Sequence, residues 1–269
     1  DLAWSRGLGD VYKRQMMANL SVNGWQVVMM HYRGCSGVPN LKPRGYHSGE
    51  TGDPSFFLDW LNQKFPQLPK VAVGFSLGGN MLLKLLGENP AQKWLNAAIA
   101  ISSPLKLSEC AKSINHGFSR VYQKYLLNSI KTTLRKKMSF IDYRKLIQLT
   151  GDDVDGISSF AQFDEKVTAP LHGFEDANDY YEKCSAYHFL SAIHCPTLVL
   201  HSIDDPFMNH LVVPKEEELA RNVTLELSER GGHVGFMQGS VFSPKVWLHE
   251  RVKRYVSDVL PINPTTPYV

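Results

Sequence analysis

Residues 71-VAVGFSLGGNMLLKLL-86 join a short β-branched run, Val71 to Gly74, to a helical pattern from Leu77 to Leu86. The junction, Gly74-Phe75-Ser76-Leu77-Gly78, fits G-x-S-x-G, in which a serine sits on a sharp strand-to-helix turn. The five residues alone arise by chance in about one chain in ten of this length at average Gly and Ser usage. The strand before and the helix after make them specific, and the small Gly78 and Gly79 let the turn pack closely.

Outward from this junction, Ala97 to Ile101, Thr197 to His201 after Cys195-Pro196, and Val223 to Leu227 read as further strands. Trp25 to Tyr32 (WQVVMMHY) reads as a buried strand ending at Arg33-Gly34, and Gly37 to Gly52 as loop. Asp53-Pro54 looks like an N-cap with proline in the first turn, and Phe56, Phe57, Trp60, Leu61 and Phe65 are expected to form the buried stripe of the helix that follows. Pro244 to Leu260 reads as a closing helix. Strands alternating with helices imply an α/β fold, a mostly parallel sheet flanked by helices. About ninety residues separate the strands at 97–101 and 197–201, too many for an ordinary crossover. That interval is expected to be an inserted helical cap at about 104–190, with Phe118, Val121, Tyr122, Tyr125, Leu126 and Ile130 packed against the sheet domain.

A serine hydroxyl becomes a nucleophile when a histidine takes its proton and a carboxylate holds that histidine in the right tautomer. The strand 197–201 runs into Ser202-Ile203-Asp204-Asp205-Pro206, which places a carboxylate at a strand's C-terminal end, and Asp205 is preferred over Asp204. The plain alternative is a turn before proline. After the last strand, Arg230-Gly231-Gly232-His233 presents an imidazole in a glycine loop. His31, His188, His194 and His249 read as surface or packed histidines. His172-Gly173 lies deep in the cap segment and is set aside as a decoy. The candidate catalytic residues are therefore Ser76, Asp205 and His233, with the backbone N–H of Leu77 as oxyanion donor.

Of the residues, 43% are hydrophobic and 20% charged, which excludes a disordered or coiled-coil chain. The balance of 29 basic and 26 acidic residues is too even for a nucleic-acid partner. Four scattered cysteines, Cys35, Cys110, Cys184 and Cys195, form neither a zinc pattern nor a disulfide framework, so no metal is expected. No phosphate loop, zincin or dinucleotide motif appears, and no cofactor is expected. No transmembrane segment and no signal layout is found, and a cytoplasmic location follows. The basic run Arg135-Lys136-Lys137 reads as a solvated helix end, with peripheral contact to anionic lipid as the alternative.

These residues together resemble the YheT-like hydrolases, a bacterial branch of the α/β-hydrolase superfamily similar to eukaryotic ABHD-type lipid hydrolases. The resemblance covers about residues 16–260 and rests on HYRGCSGVPN at 31–40, YHSGETGD at 46–53, VGFSLGGNML at 73–82, GFSRVYQKYLL at 117–127, DDPFM at 204–208 and GGHVGF at 231–236. It implies the roles of nucleophile, acid and base at Ser76, Asp205 and His233, and hydrolysis of short-chain or lipid-derived acyl esters. Residues 1–15, DLAWSRGLGDVYKRQ, lie outside it and read as a non-family start of the kind a translated sequencing adapter produces. A truncated start and a missing second oxyanion donor are thereby implied. Residues 261–269 read as a tail. Two alternatives stand beside the esterase: a catalytically silent binding module on the same fold, and an acyltransferase using the same three residues.

Overall fold

The computed structural model describes residues 8–240 and 243–260. Helix α1 (Leu8–Val22) runs across the 15/16 boundary drawn from sequence, and residues 1–7 and the tail at 261–269 lie outside the described residues. Helix α2 (Gly52–Lys64) leads to strand β1 (Val71–Phe75), helix α3 (Leu77–Glu88) and strand β2 (Ala97–Ile101). Between β2 and the next strand the chain is helical: α4 (Leu107–Ser113), α5 (Ser119–Met138), α6 (Tyr143–Ile147), α7 (Gly151–Gly156), α8 (Phe160–Phe163), α9 (Ala169–His172) and α10 (Ala177–Cys184). A π-helical turn at Asp164–Thr168 joins α8 to α9. Strands β3 (Thr197–Ser202) and β4 (Val223–Ser228) complete a parallel sheet of order β1-β2-β3-β4. A small antiparallel pair, β5 (Met237–Ser240) and β6 (Ser243–Val246), precedes α11 (Trp247–Val259).

The alternation of side chains along a strand divides the core in two. Ala98 and Ala100 of β2 and Val199 of β3 face Leu82, Leu83, Leu85 and Leu86 of α3, with Leu190 and Ile193 closing that layer. Ile99, Ile101, Leu198 and Leu200 face the other way, against Met16 and Leu20 of α1 and Leu248, Val252 and Val256 of α11. All five residues of β2 are buried, and each fully buried Ile or Leu contributes roughly 1.5–3 kcal/mol.

Five expectations are corrected here. Trp25 to Tyr32 forms no ladder among the described residues. It runs half exposed with Trp25 and Val27 against the α1/α11 layer, and Val28 is 58% exposed, so a strand-like sequence lacks a strand beside it. In α2 the buried residues are Pro54 and Leu58, whereas Phe56, Trp60 and Phe65 face solvent, because the layer beneath reaches only one edge of the helix. Thr51 is the N-cap residue of that helix, and Asp53 instead accepts from Arg33 Nε at 3.0 Å. In α5 the inward residues are Ser119, Gln123, Leu127, Leu134 and Lys137, and Phe118, Val121 and Tyr125 point outward. Pro244 lies in β6 and α11 begins three residues later.

Candidate active site

β1 ends against α3 with almost no space between them. A Cβ on Gly74 would lie 2.5 Å from the Gly78 carbonyl oxygen, and one on Gly79 would overlap Ser103 Oγ and lie 3.1 Å from Gly74 O. Only glycine lets the strand turn into the helix so tightly. Between them Ser76 takes φ 49°, ψ −121°, a left-handed conformation costly for a side-chain-bearing residue. Ser76 N–H donates to Ile101 O at 2.8 Å, and its carbonyl accepts from Gly79 N–H at 2.9 Å, so both sides of the strained residue are fixed. Leu77 is the first residue of α3, and the first N–H groups of a helix have no intrahelical acceptor.

The structure brings Ser76, Asp205 and His233 together from three strand ends. His233 Nε2 lies 2.9 Å from Ser76 Oγ and Nδ1 lies 2.8 Å from Asp205 Oδ2. The Asp205 side chain is fully buried and that of His233 is 14% exposed, so the carboxylate meets the imidazole out of water. Asp205 Oδ1 also accepts from Phe207 N–H at 2.9 Å, and the Phe207 ring stands edge-on to the imidazole at 4.6 Å between centroids. His201 is buried on β3, and that burial lowers its pKa.

Asp204 has a role that sequence reasoning missed. Its Oδ1 accepts from Gly231 N–H at 2.9 Å, Gly232 N–H at 2.8 Å and Ser202 Oγ at 2.5 Å. It therefore ties the loop that carries His233 back to the end of β3. The Ser202 hydroxyl first, and then the two loop amides, keep its carboxyl below the ordinary range. The two adjacent glycines after β4 were the available signal, since their free amides need an acceptor.

Behind the elbow, Asn80 of α3 is fully buried and makes three bonds: Nδ2 donates to Ser48 O at 2.9 Å and Cys184 O at 2.8 Å, and Oδ1 accepts from Ala186 N–H at 2.9 Å. Tyr180 Oη donates to Ser48 Oγ at 2.7 Å. Burial, and next His172, push His47 down to about 3, and its Nδ1 accepts from Gly49 N–H at 3.2 Å. His172 touches neither Ser76 nor His233: its Nδ1 meets Thr168 O at 2.7 Å and its Nε2 meets Gly45 O at 3.2 Å. Arg33 clasps Asp53 through two bonds.

A profile described as the alpha/beta hydrolase fold matches residues 7–240. The chain belongs to that family. Within the α/β hydrolases it joins the YheT-like branch: YheT of Escherichia coli (strain K12), which carries an esterase name, is 42% identical over 253 residues, 94% of this chain and 74% of YheT. A Danio rerio protein named monoacylglycerol lipase ABHD2 is 28% identical, the alignment covering 92% of this chain and 62% of the lipase. Among solved structures, an esterase of Pyrococcus furiosus has a TM-score of 0.58 at 14% identity, covering 93% of this chain and 77% of that one, a likeness of fold. The chain is an α/β hydrolase of the esterase and lipase type. None of its described helices is long and apolar enough to cross a membrane.

Proposed function

We propose that this α/β hydrolase cleaves carboxylic esters through an acyl-enzyme on Ser76. The observation that carries the reading is the unbroken line from Asp205 Oδ2 through the imidazole to Ser76 Oγ, with both contacts under 3 Å. His233 Nε2 takes the hydroxyl proton as Oγ attacks the ester carbonyl. The buried Asp205 carboxylate keeps the proton on Nδ1 and stabilises the imidazolium that forms. The N–H of Leu77 faces the developing oxyanion at the positive end of α3. His233 then gives its proton to the leaving alcohol, and a water activated by the same nitrogen releases the acid. The relatives named as esterase and lipase point to acyl esters as the substrate class.

Ser76→Ala tests this directly. Hydrolysis of p-nitrophenyl acetate should fall by about 10³-fold or more, and labelling by a fluorophosphonate should disappear. Turnover by Ser76→Ala at the parent rate would refute the reading.

A further inference from the structure

The proposed chemistry uses no residue of α5, whose inner side packs into the molecule. On the outer side Phe118 is 83% exposed, Val121 61% and Tyr125 58%. Spacings of three and four residues set them on one stripe. Around it the helix carries Arg120, Lys124, Lys131, Arg135, Lys136 and Lys137 and no acidic residue. Arg135 pairs with Asp155, and Lys137 is buried against the carbonyls of Pro43 and Arg44. Lys131 donates to the backbone carbonyls of Asp155 and Ile157 rather than to a carboxylate. Arg120, Lys124 and Lys136 have no carboxylate partner among the described residues.

This outer stripe connects to the site. The Tyr122 ring stacks on Phe207 at 4.6 Å, and Phe207 in turn meets His233. Tyr122 and Tyr125 lie 6.5 Å apart, so a file of rings runs from the imidazole to the exposed stripe. Arg120, Lys124 and Lys131 also line an open groove with Asn128, Ser158 and Ser159, which is rich in donors suited to phosphate oxygens.

We propose that this face of α5 seats on an anionic phospholipid surface, with Phe118, Val121 and Tyr125 at the acyl boundary and Arg120 and Lys124 against the headgroup phosphates. Aromatic and apolar residues flanked by cations without anions are the pattern of a helix lying in a membrane interface. A protein partner fits less well, because three apolar side chains fall far short of the roughly 20 residues a side that a stable interface uses. That the seating delivers ester to Ser76 rests on the proposed hydrolase activity, whereas the seating itself does not.

The test is co-sedimentation with sucrose-loaded vesicles of phosphatidylcholine alone and of equimolar phosphatidylcholine and phosphatidylglycerol. The parent should pellet with the mixed vesicles and far less with the neutral ones. The double changes Arg120→Glu/Lys124→Glu and Phe118→Ser/Val121→Ser should each lower partition at least about tenfold, with p-nitrophenyl acetate hydrolysis unchanged. Failure to pellet with mixed vesicles, equal binding to both compositions, or variants that bind like the parent would overturn the proposal. So would a dimer in sedimentation equilibrium that Phe118→Ser/Val121→Ser dissolves, which would place a second copy on this face. Ser76→Ala should still pellet; if it pellets and also still hydrolyses ester, the catalytic reading fails and the docking surface stands.

Discussion

Replacing Asp204 by alanine should slow the enzyme without removing any group that meets substrate. The carboxylate oxygen accepts three hydrogen bonds, two from the amides at the base of the His233 loop and one from Ser202. Asp204 is exposed, so water replaces part of each, and a loss of about 0.5–1 kcal/mol per bond is appropriate. Together this loosens the loop by about 2 kcal/mol, which at 1.4 kcal/mol per decade bounds the loss of competent enzyme at roughly thirtyfold. The expected result is a fall in kcat/KM of about five- to thirtyfold, a matching fall in the rate of fluorophosphonate labelling, and an unmoved acid limb of the pH profile, since Asp204 does not touch the imidazole. Asp204→Asn keeps an acceptor oxygen and should recover much of the loss. Unchanged kcat/KM in Asp204→Ala, or a shifted acid limb, would show that the loop is held by something else.

Three further outcomes are expected. Asn80→Ala leaves three buried backbone groups unpaired and should cost about 3–5 kcal/mol in urea unfolding; a cost below about 1 kcal/mol would show that the loops re-pair without it. Gly79→Ala drives a Cβ into Ser103 Oγ and should cost about 1–3 kcal/mol, part of it recovered by adding Ser103→Gly, with circular-dichroism melts as the readout. Burial, and next the charge of Arg33, lower Lys137 to about 8 from 10.5. Between those values the unfolded chain binds more protons than the folded one, so the Lys137 contribution to stability rises with pH across that window, by up to about 3 kcal/mol. Urea midpoints of the parent should therefore climb relative to Lys137→Met from pH 8 to 10.5, and parallel curves would refute the assignment.

The parts of this molecule legible in the sequence are those where a local pattern determines local geometry. Gly74 to Gly79 spell a strand, a strained serine and a helix because the steric demand lies within six residues. The bounds of β2 agree with Ala97 to Ile101 because both faces of that strand are buried and its apolar run has no alternation to misread. Where burial depends on a distant partner, the sequence misleads. Phe56, Trp60, Phe118 and Tyr125 have the periodicity of a core stripe, yet nothing in their own helices says that the layer beneath meets the opposite face. Trp25 to Tyr32 carries strand-like residues that meet no ladder among the described residues. Asp204 and Asp205 show the same limit over one peptide bond: composition offers two equivalent carboxylates, and only the path of the chain after β3 gives the imidazole to one and its loop to the other.

Among the described residues, the strand that leads into Ser76 is also the rim of the sheet. β1 pairs with β2 on one side, and its other row of peptide groups meets no ladder among the described residues. Its side chains Val71, Val73 and Phe75 pack against the α1/α11 layer on one face of the sheet. A row of peptide groups outside any ladder is a template for pairing with further chain. Self-association on warming should start at the strand that aims the nucleophile, so turbidity and loss of fluorophosphonate labelling should rise over the same few degrees, before the deeper β2–β3 pair opens.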